Sequence, residues 1–281
     1  MEARQLSFED ILSSPISTPS NPIKNPVKKT LPKIVQFPSG IYTPVIKPKS
    51  RPITDKNEQL RIREALLKSS PKPHLAYRNY LIWTVGCNIG RRAGDLLTLR
   101  LGDVIDFTTN RVKEQVVIVE QKTGKVTSFY FAPSVEQAIQ EYFDNLPSHL
   151  KSPWEPLFPS QKRAPKTNST QAIKVRSENK TFVKTFVRDT TGCLDTHSYN
   201  RILRTLNNKY HLCEKLSSHC MRKTAARIAY DHGEATKAQT GIGGLELTQS
   251  TITYHTSSKT TLDYIGITEE IKKAVYRTEI L

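Results

Sequence analysis

The sequence lacks the features of a membrane protein, a disulfide-rich protein and a zinc-cysteine protein. No apolar run approaches the ~20 residues that cross a bilayer, and the N-terminus has no unbroken apolar core of the kind found in signal peptides. The four cysteines show no paired metal-ligand spacing. We therefore expect a cytoplasmic chain in a reducing compartment, with no metal site and no membrane span.

Acidic residues are also scarce. The chain has 42 Lys and Arg against 26 Asp and Glu, which gives a net charge of +16 and a pI near 9.7. A charge of this size is expected of a protein that binds phosphates. An unspecialised basic surface would have the same composition, so the charge alone leaves both readings open.

The imbalance is strongest in residues 1–52. This segment holds 9 of the 17 prolines, and residues 11–52 contain seven Lys or Arg and no acid. Such a composition buries too little apolar surface to offset the entropy of ordering the chain. We expect a flexible basic arm over residues 1–52, either an inert tail or a DNA-binding segment, and a folded domain over residues 53–281.

Apolar spacing predicts a mainly α domain. Leucine and isoleucine recur at helical intervals in "KNEQLRIREALLKS" and "LAYRNYLIWTVGCNIG", so two helices joined by a proline turn are expected. "DLLTLRLGDVID" is typical of a third helix that runs into a loop. Further helices are predicted for "HSYNRILRTLNNKYH", for "HCMRKTAARIAYDHG", which we expect to end at Gly233, and for a terminal segment capped by Thr268.

Two segments interrupt the helical pattern. In "VKEQVVIVEQKTGKVTSFYFAP", β-branched runs flank a Gly-containing turn, which predicts an antiparallel hairpin. Ser134 and Gln137 then form the pattern of a capping box for the next helix. Residues 161–188 contain eight Lys or Arg and one acid. We interpret about 161–196 as a basic insertion, either a loop or an added hairpin around "TFVKTFV".

Three short motifs surround the predicted hairpin. These are "GRRAGDLLTLRLGDV", "SSHCMRKTAARI" and "HTSSKTTLDYIGI", and together with "QKTGK" they resemble the tyrosine recombinase (phage integrase) family. The resemblance covers about residues 52–281. It implies the catalytic-domain fold of that family, mainly α with a small antiparallel β-sheet or hairpin.

The resemblance assigns the site residue by residue. It implies catalytic roles for Arg92, Lys122, His219, Arg222, His255 and Tyr264, with Lys125 as the alternative to Lys122. Asp95, one helical turn from Arg92, is expected to orient and pack the site. "TYH" stands where the family commonly has Leu-Gly-His, which makes His255 the least regular member of the set.

The chemistry of these residue types agrees with the assignment. Two guanidiniums bind the non-bridging oxygens of a phosphate bidentately, and either histidine could take the proton of the phenol. The lysine would protonate the leaving 5′-oxygen. The expected product is a 3′-phosphotyrosyl link to Tyr264, which conserves the bond energy for rejoining without a cofactor or metal.

The resemblance also implies partners. We expect double-stranded DNA with specific recombination sites, a homotetramer on DNA assembled through the C-terminal tail, and no membrane partner. Candidate DNA contacts are Arg91, Lys125, Lys162, Arg163, Lys166 and Lys223. Because the region before Arg51 is too short for the family's N-terminal clamp domain, we also expect an accessory DNA-binding protein.

Two other functions fit the same motifs. A type IB topoisomerase-like enzyme uses nearly the same constellation to relax one strand, and a non-catalytic DNA-binding regulator could have the same fold. Exchange of strands between duplexes would separate the first alternative from recombination. The presence of the tyrosine argues against the second, since a protein that only binds DNA does not need it.

Overall fold

The computed structural model describes residues 36–37, 40–41, 49–122, 124–161, 170–175, 184–267 and 277. The chain divides into two compact units, Met1–Lys49 and Ser50–Leu281. In the first unit, strands β1 (Gln36–Phe37) and β2 (Gly40–Ile41) form an antiparallel pair. The terminal helix predicted from Thr268 lies outside the described residues.

The second unit is mainly helical with small antiparallel hairpins, as predicted. Its helices are α1 (Lys56–Leu67), α2 (Pro73–Ile89), α3 (Ala93–Leu97), α4 (Leu101–Val104), α5 (Pro133–Asp144), α6 (Thr196–Tyr210), α7 (Ser218–Thr240), α8 (Gly244–Thr248) and α9 (Ser258–Ile265). A 3-10 turn covers Ser148–Leu150, and a π-helical turn covers Gln249–Thr253. Within the described ranges, no helix is both long and apolar enough to cross a membrane.

The first two helices begin and end at residues that suit those positions. Asp55 caps α1 by accepting the backbone N–H of Glu58 at 2.7 Å. Pro73 starts α2, where its missing N–H costs nothing. Gly90 ends α2 in the left-handed conformation, with φ of 62°. The two predicted helices and the turn between them are confirmed.

Helices α2 and α7 pack closely against each other. At Gly86 an added Cβ would lie 2.7 Å from the sulfur of Met221, so glycine sets the separation of the two helices. Leu81, Ile82 and Val85 of α2 are fully buried. This contact brings the first turns of α7 alongside the C-terminal end of α2, where the first motif begins.

The predicted hairpin is present. Its strands are β5 (Val116–Val119) and β6 (Val126–Phe129), paired antiparallel with Val119 opposite Val126. A second antiparallel pair, β3 (Ile105–Asp106) and β4 (Arg111–Val112), precedes it. In the basic insertion, β7 (Thr170–Val175) pairs antiparallel with β8 (Lys184–Asp189). Of the two alternatives for this segment, the added hairpin is therefore confirmed.

Two local predictions in the first half of this unit were wrong. "DLLTLRLGDVID" forms two short helices, α3 and α4, instead of one. Helix α5 begins at Pro133 with Ala132 at its cap, so Ser134 lies inside the helix and forms no capping box. A proline at the first helical position starts a helix without a side-chain cap, and it sets the start of α5 ahead of Ser134.

Gly233 does not end α7. The helix continues to Thr240 and stops at Gly241, whose φ is 72°. Gly233 is instead a contact point, because an added Cβ would lie 2.6 Å from the Cα of Gly244 in α8. The polar, Gly- and Thr-rich segment that follows α7 forms a short helix and a π-helical turn that lead to His255.

We expect Gly233→Ala to destabilise the protein. Alanine gains roughly 1 kcal/mol of helix propensity over glycine, but two backbone atoms of Gly244 lie within 2.9 Å of the added carbon and cannot give way as a side chain can. Overpacking of this kind typically lowers the free energy of unfolding by about 1–3 kcal/mol. Urea denaturation measures the difference.

Gly243→Ala is the matched control for this substitution. Its added Cβ would have its nearest neighbour at 3.6 Å, which is ordinary contact, and the backbone there has a φ of −77° that alanine adopts freely. We expect its free energy of unfolding to stay within about 0.5 kcal/mol of wild type. Equal stability of the two variants would refute the close contact of α7 with α8.

Candidate active site

Arg222 lies on α7 beneath the end of α2. It is 6% exposed, and its Nη1 and Nη2 donate to the carbonyl oxygens of Gly90 at 2.7 Å and Thr253 at 3.2 Å. A Cβ at Gly90 would lie 2.8 Å from the Cβ of Ala225, so glycine allows this approach. The two carbonyls fix the guanidinium without neutralising its charge.

Arg92 is held by Glu120, a residue that the sequence patterns did not single out. Arg92 Nη1 donates to Glu120 Oε2 at 2.7 Å, and Glu120 Oε1 lies 3.5 Å from Nη1 of Arg91. Glu120 is 2% exposed, whereas one third of the Arg92 side chain is exposed. A buried carboxylate therefore fixes Arg92 while part of its guanidinium remains open to a ligand. The only sequence signal for Glu120 is its position as a single acid at the end of the β-branched run before "QKTG".

Lys122 lies exposed on the turn of the β5–β6 hairpin. The base of the turn is closed by two bonds, from the N–H of Glu120 to the carbonyl of Lys125 at 2.9 Å and from the N–H of Gly124 to the carbonyl of Glu120 at 2.8 Å. Asp95, 1% exposed, accepts the N–H of Gln121 at 2.8 Å. The predicted supporting acid thus joins helix α3 to the hairpin.

His255 and Tyr264 come together at the C-terminal side of the site. Their ring centroids are 5.4 Å apart with an interplanar angle of 85°. Ser257 caps α9 by accepting the N–H of Thr260 at 3.4 Å, and His255 Nδ1 lies 3.4 Å from the hydroxyl of Thr261. The nine-residue spacing from histidine to tyrosine therefore corresponds to a capped helix that turns the phenol back toward the imidazole.

The Tyr264 phenol lies among the site's cations. Burial raises the pKa of Tyr264, while the positive charges of Arg222 and Arg92 act in the opposite direction. The ammonium of Lys223 lies 4.9 Å from the centroid of its ring. Ionisation of the phenol is thus opposed by desolvation and favoured by two guanidiniums.

Both predicted histidines favour the neutral form. Burial lowers the pKa of His255, and the positive charges of Arg222 and Arg92 lower it further. The pKa of His219, on the first turn of α7, is lowered by burial and by the nearby charges of Lys223 and Arg222. A neutral imidazole can accept a proton, so both residues have the state that a proton acceptor needs.

We expect stability to fall with pH below about 6.5, the ordinary pKa of histidine. Because the folded-state pKa values of His219 and His255 are lowered, the unfolded chain binds their protons more tightly. The free energy of unfolding is then largest above pH ~6.5 and falls as pH drops through each folded-state pKa. Urea midpoints from pH 7.5 to 5 measure this slope, and His219→Gln with His255→Gln should flatten it. An unchanged slope in that double variant would contradict the shifts.

The residues predicted to contact DNA differ in exposure and in their surroundings. Arg91 is 3% exposed beneath the hairpin, so the structure favours a supporting role for it. The ammonium of Lys125 lies 4.3 Å from the ring centroid of Tyr254, and Lys223 faces Tyr264 as described above. Lys162, Arg163 and Lys166 lie outside the described residues.

Comparison with known families decides the class of the chain. The model of the phage integrase family matches residues 55–261. The chain belongs to the phage integrase family. The predicted family, and with it the class of tyrosine-type site-specific recombinases, is confirmed. The match ends before Tyr264, so the roles of individual site residues in this phage integrase family member stay predictions.

Several solved structures are similar to this family member. The XerA recombinase is 20% identical with a TM-score of 0.49, over 85% of this chain and 68% of XerA. XerH bound to palindromic difH substrate in a post-cleavage complex is 17% identical with a TM-score of 0.49, over 82% of this chain and 54% of XerH. A lambda integrase tetramer bound to a Holliday junction is 16% identical with a TM-score of 0.46, over 78% of this chain and 50% of that chain.

The chain thus spans about half the length of the XerH and lambda integrase chains. A search of curated proteins found no match.

Proposed function

We propose that this chain cleaves and rejoins DNA at specific sites through a 3′-phosphotyrosyl intermediate on Tyr264. The observation that carries the proposal is the environment of the phenol. The positive charges of Arg222 and Arg92 act on the Tyr264 phenol, and the His255 ring lies edge to face against it with the ring centroids 5.4 Å apart. A nucleophile, two anion-binding cations and a proton acceptor are therefore in one place.

The two arginines suit a phosphodiester clamp. Each carries a fixed positive charge, and charge that develops on non-bridging oxygens is best met by donors that are already in position. Arg222 is held by two backbone carbonyls and Arg92 by Glu120. A phosphate bound between them would replace part of the mutual repulsion of the guanidiniums with attraction.

Cleavage then follows as an exchange of bonds at phosphorus. The Tyr264 oxygen bonds to phosphorus as the bond to the 5′-oxygen breaks, and the phenol proton goes to His255 or His219. The electron pair of the broken bond leaves on the 5′-oxygen, which takes a proton from Lys122. Attack by the 5′-hydroxyl of a partner strand reverses these steps and joins new ends.

Residues directly after the proposed nucleophile anchor the start of the C-terminal tail on the same domain. Ile265 and Ile267, 0% and 5% exposed, pack against Ala226 of α7 and anchor the chain directly behind Tyr264. A tail bound by a neighbouring copy would therefore act on the helix that carries the phenol. We propose a tetramer on DNA that forms through this tail, together with an accessory DNA-binding protein.

Adduct mapping tests the proposed reaction. Purified protein is incubated with labelled suicide duplexes drawn from the DNA that flanks its own gene, and the products are separated on denaturing gels. We expect a protease-sensitive adduct at one position, and mass spectrometry of the digest should find the nucleotide on the peptide that contains Tyr264. Strand exchange between two duplexes would then distinguish recombination from relaxation. Salt-sensitive binding without any adduct would refute the enzyme proposal and favour a DNA-binding regulator.

A further inference from the structure

Tyr254 has a backbone conformation that is unusual for its residue type. It follows the π-helical turn, and its φ is 55°, in the left-handed region that disfavours a residue with a Cβ. In the phage integrase family this position is commonly glycine, which adopts such a conformation freely. A tyrosine here indicates that its side chain compensates for the strained backbone.

The side chain of Tyr254 contacts the hairpin that carries Lys122. Its hydroxyl accepts a hydrogen bond from Arg91 Nη1 at 3.0 Å, and the ammonium of Lys125 lies 4.3 Å from its ring centroid. Arg91 in turn donates to the carbonyl of Ser128 in β6 at 3.3 Å. The phenol ring therefore joins the hairpin at its turn, through Lys125, and at its second strand, through Arg91.

The backbone of Tyr254 lies between two segments of the active site. The carbonyl of the preceding residue, Thr253, accepts Arg222 Nη2 at 3.2 Å, and the next residue is His255. The turn itself is exposed at both Lys122 and Lys125. A proton donor must lie within hydrogen-bond reach of its target, and an exposed turn does not guarantee that distance without a tether.

We propose that Tyr254 is a positioning residue that ties the β5–β6 hairpin to the His255 segment and so holds Lys122 in place to protonate the leaving 5′-oxygen. The inference rests on the proposed function of Lys122 and adds a device that the family pattern lacks. Tyr254 does not touch the reacting atoms. It acts through Lys125 and Arg91 on the hairpin.

Two DNA substrates test this role. One is a suicide duplex with the ordinary phosphodiester at the mapped cleavage position, and the other has sulfur in place of the bridging 5′-oxygen there. In the sulfur substrate the electron pair leaves as a thiolate, which needs no proton. We expect Tyr254→Gly to slow single-turnover cleavage of the ordinary substrate by about tenfold, a partial loss of the roughly 10²–10⁴-fold that a general acid contributes, and to cleave the sulfur substrate at the wild-type rate.

Lys122→Ala distinguishes a failure of the proposed role of Lys122 from a failure of the proposed role of Tyr254. It should show a larger loss on the ordinary substrate and the same rescue by sulfur. If Lys122→Ala is not rescued, the proposed role of Lys122 as the acid fails. If Lys122→Ala is rescued but Tyr254→Gly is equally slow on both substrates, or slow on neither, the positioning role of Tyr254 alone is overturned.

Hydrogen exchange tests the tether without DNA. We expect the amides of β5 and β6 to exchange at least about tenfold faster in Tyr254→Gly than in wild type, since local opening reports the loss of anchoring contacts. Amides of α1 serve as the internal reference and should not change. Unchanged protection of the hairpin would overturn the proposal.

Discussion

Tyr264→Phe is expected to abolish the covalent adduct and to slow strand cleavage by about 10⁵-fold or more, the scale seen when an enzyme loses its nucleophile. The phenyl ring can keep the packing of Tyr264 against Ala226, Ile265 and Ile267. Only the hydroxyl and its interaction with the charge of Arg222 are lost. We therefore expect DNA binding and the melting temperature to stay near wild type while the chemistry stops. Single-turnover assays on the suicide duplex measure the rate.

Tyr210→Phe is the matched control, because it removes a phenol at the end of α6 that contacts Lys209 outside the site. We expect it to cleave at the wild-type rate. Persistence of the adduct in Tyr264→Phe would show that another residue is the nucleophile. Tyr254 would then be the first to examine, since its hydroxyl is held by Arg91 next to the same histidine.

Motifs with short, fixed spacing were predictable from the sequence. The helices α7 and α9 have an apolar periodicity that is visible in the sequence. Helix α7 carries Arg222. His255 lies just before α9, and Tyr264 lies on it. The β5–β6 hairpin was predictable for the same reason, because a Gly-containing turn between β-branched runs is a local signal. Local signals also identified the first two helices.

Features that depend on tertiary packing were not predictable. Glu120 resembles any strand-end carboxylate until Arg91 and Arg92 are found on either side of it. Gly233 resembles a helix stop, and only the approach of Gly244 explains why α7 continues through it. Tyr254 was noticed as a departure from Leu-Gly-His, but its contact with Lys125 requires two segments far apart in the chain to meet.

Arg222→Lys is expected to slow cleavage by about 10²–10³-fold, the loss that follows removal of one preorganised donor to a developing charge. A lysine keeps the charge but has three donors on one nitrogen, whereas the guanidinium donates to the carbonyls of both Gly90 and Thr253 while its charge acts on the Tyr264 phenol. Each buried carbonyl left without its donor costs about 1–3 kcal/mol. We therefore expect a lower melting temperature as well, and rates should be measured well below it.

The pH dependence separates the catalytic loss from the structural one. Arg222 lowers the pKa of Tyr264 against the effect of burial, so a lysine whose charge lies farther from the phenol should move the pH at which the cleavage rate levels off to a higher value. Arg227→Lys, on the same helix and paired with Asp231 at 2.8 Å, is the matched control and should leave both rate and pH profile unchanged. If Arg222→Lys loses stability but keeps the wild-type rate and profile at low temperature, Arg222 only packs α7 against α2 and the phosphate clamp must be sought elsewhere. A pH profile displaced to higher pH together with a slower rate would instead show that the charge of Arg222 acts on the reacting phenol.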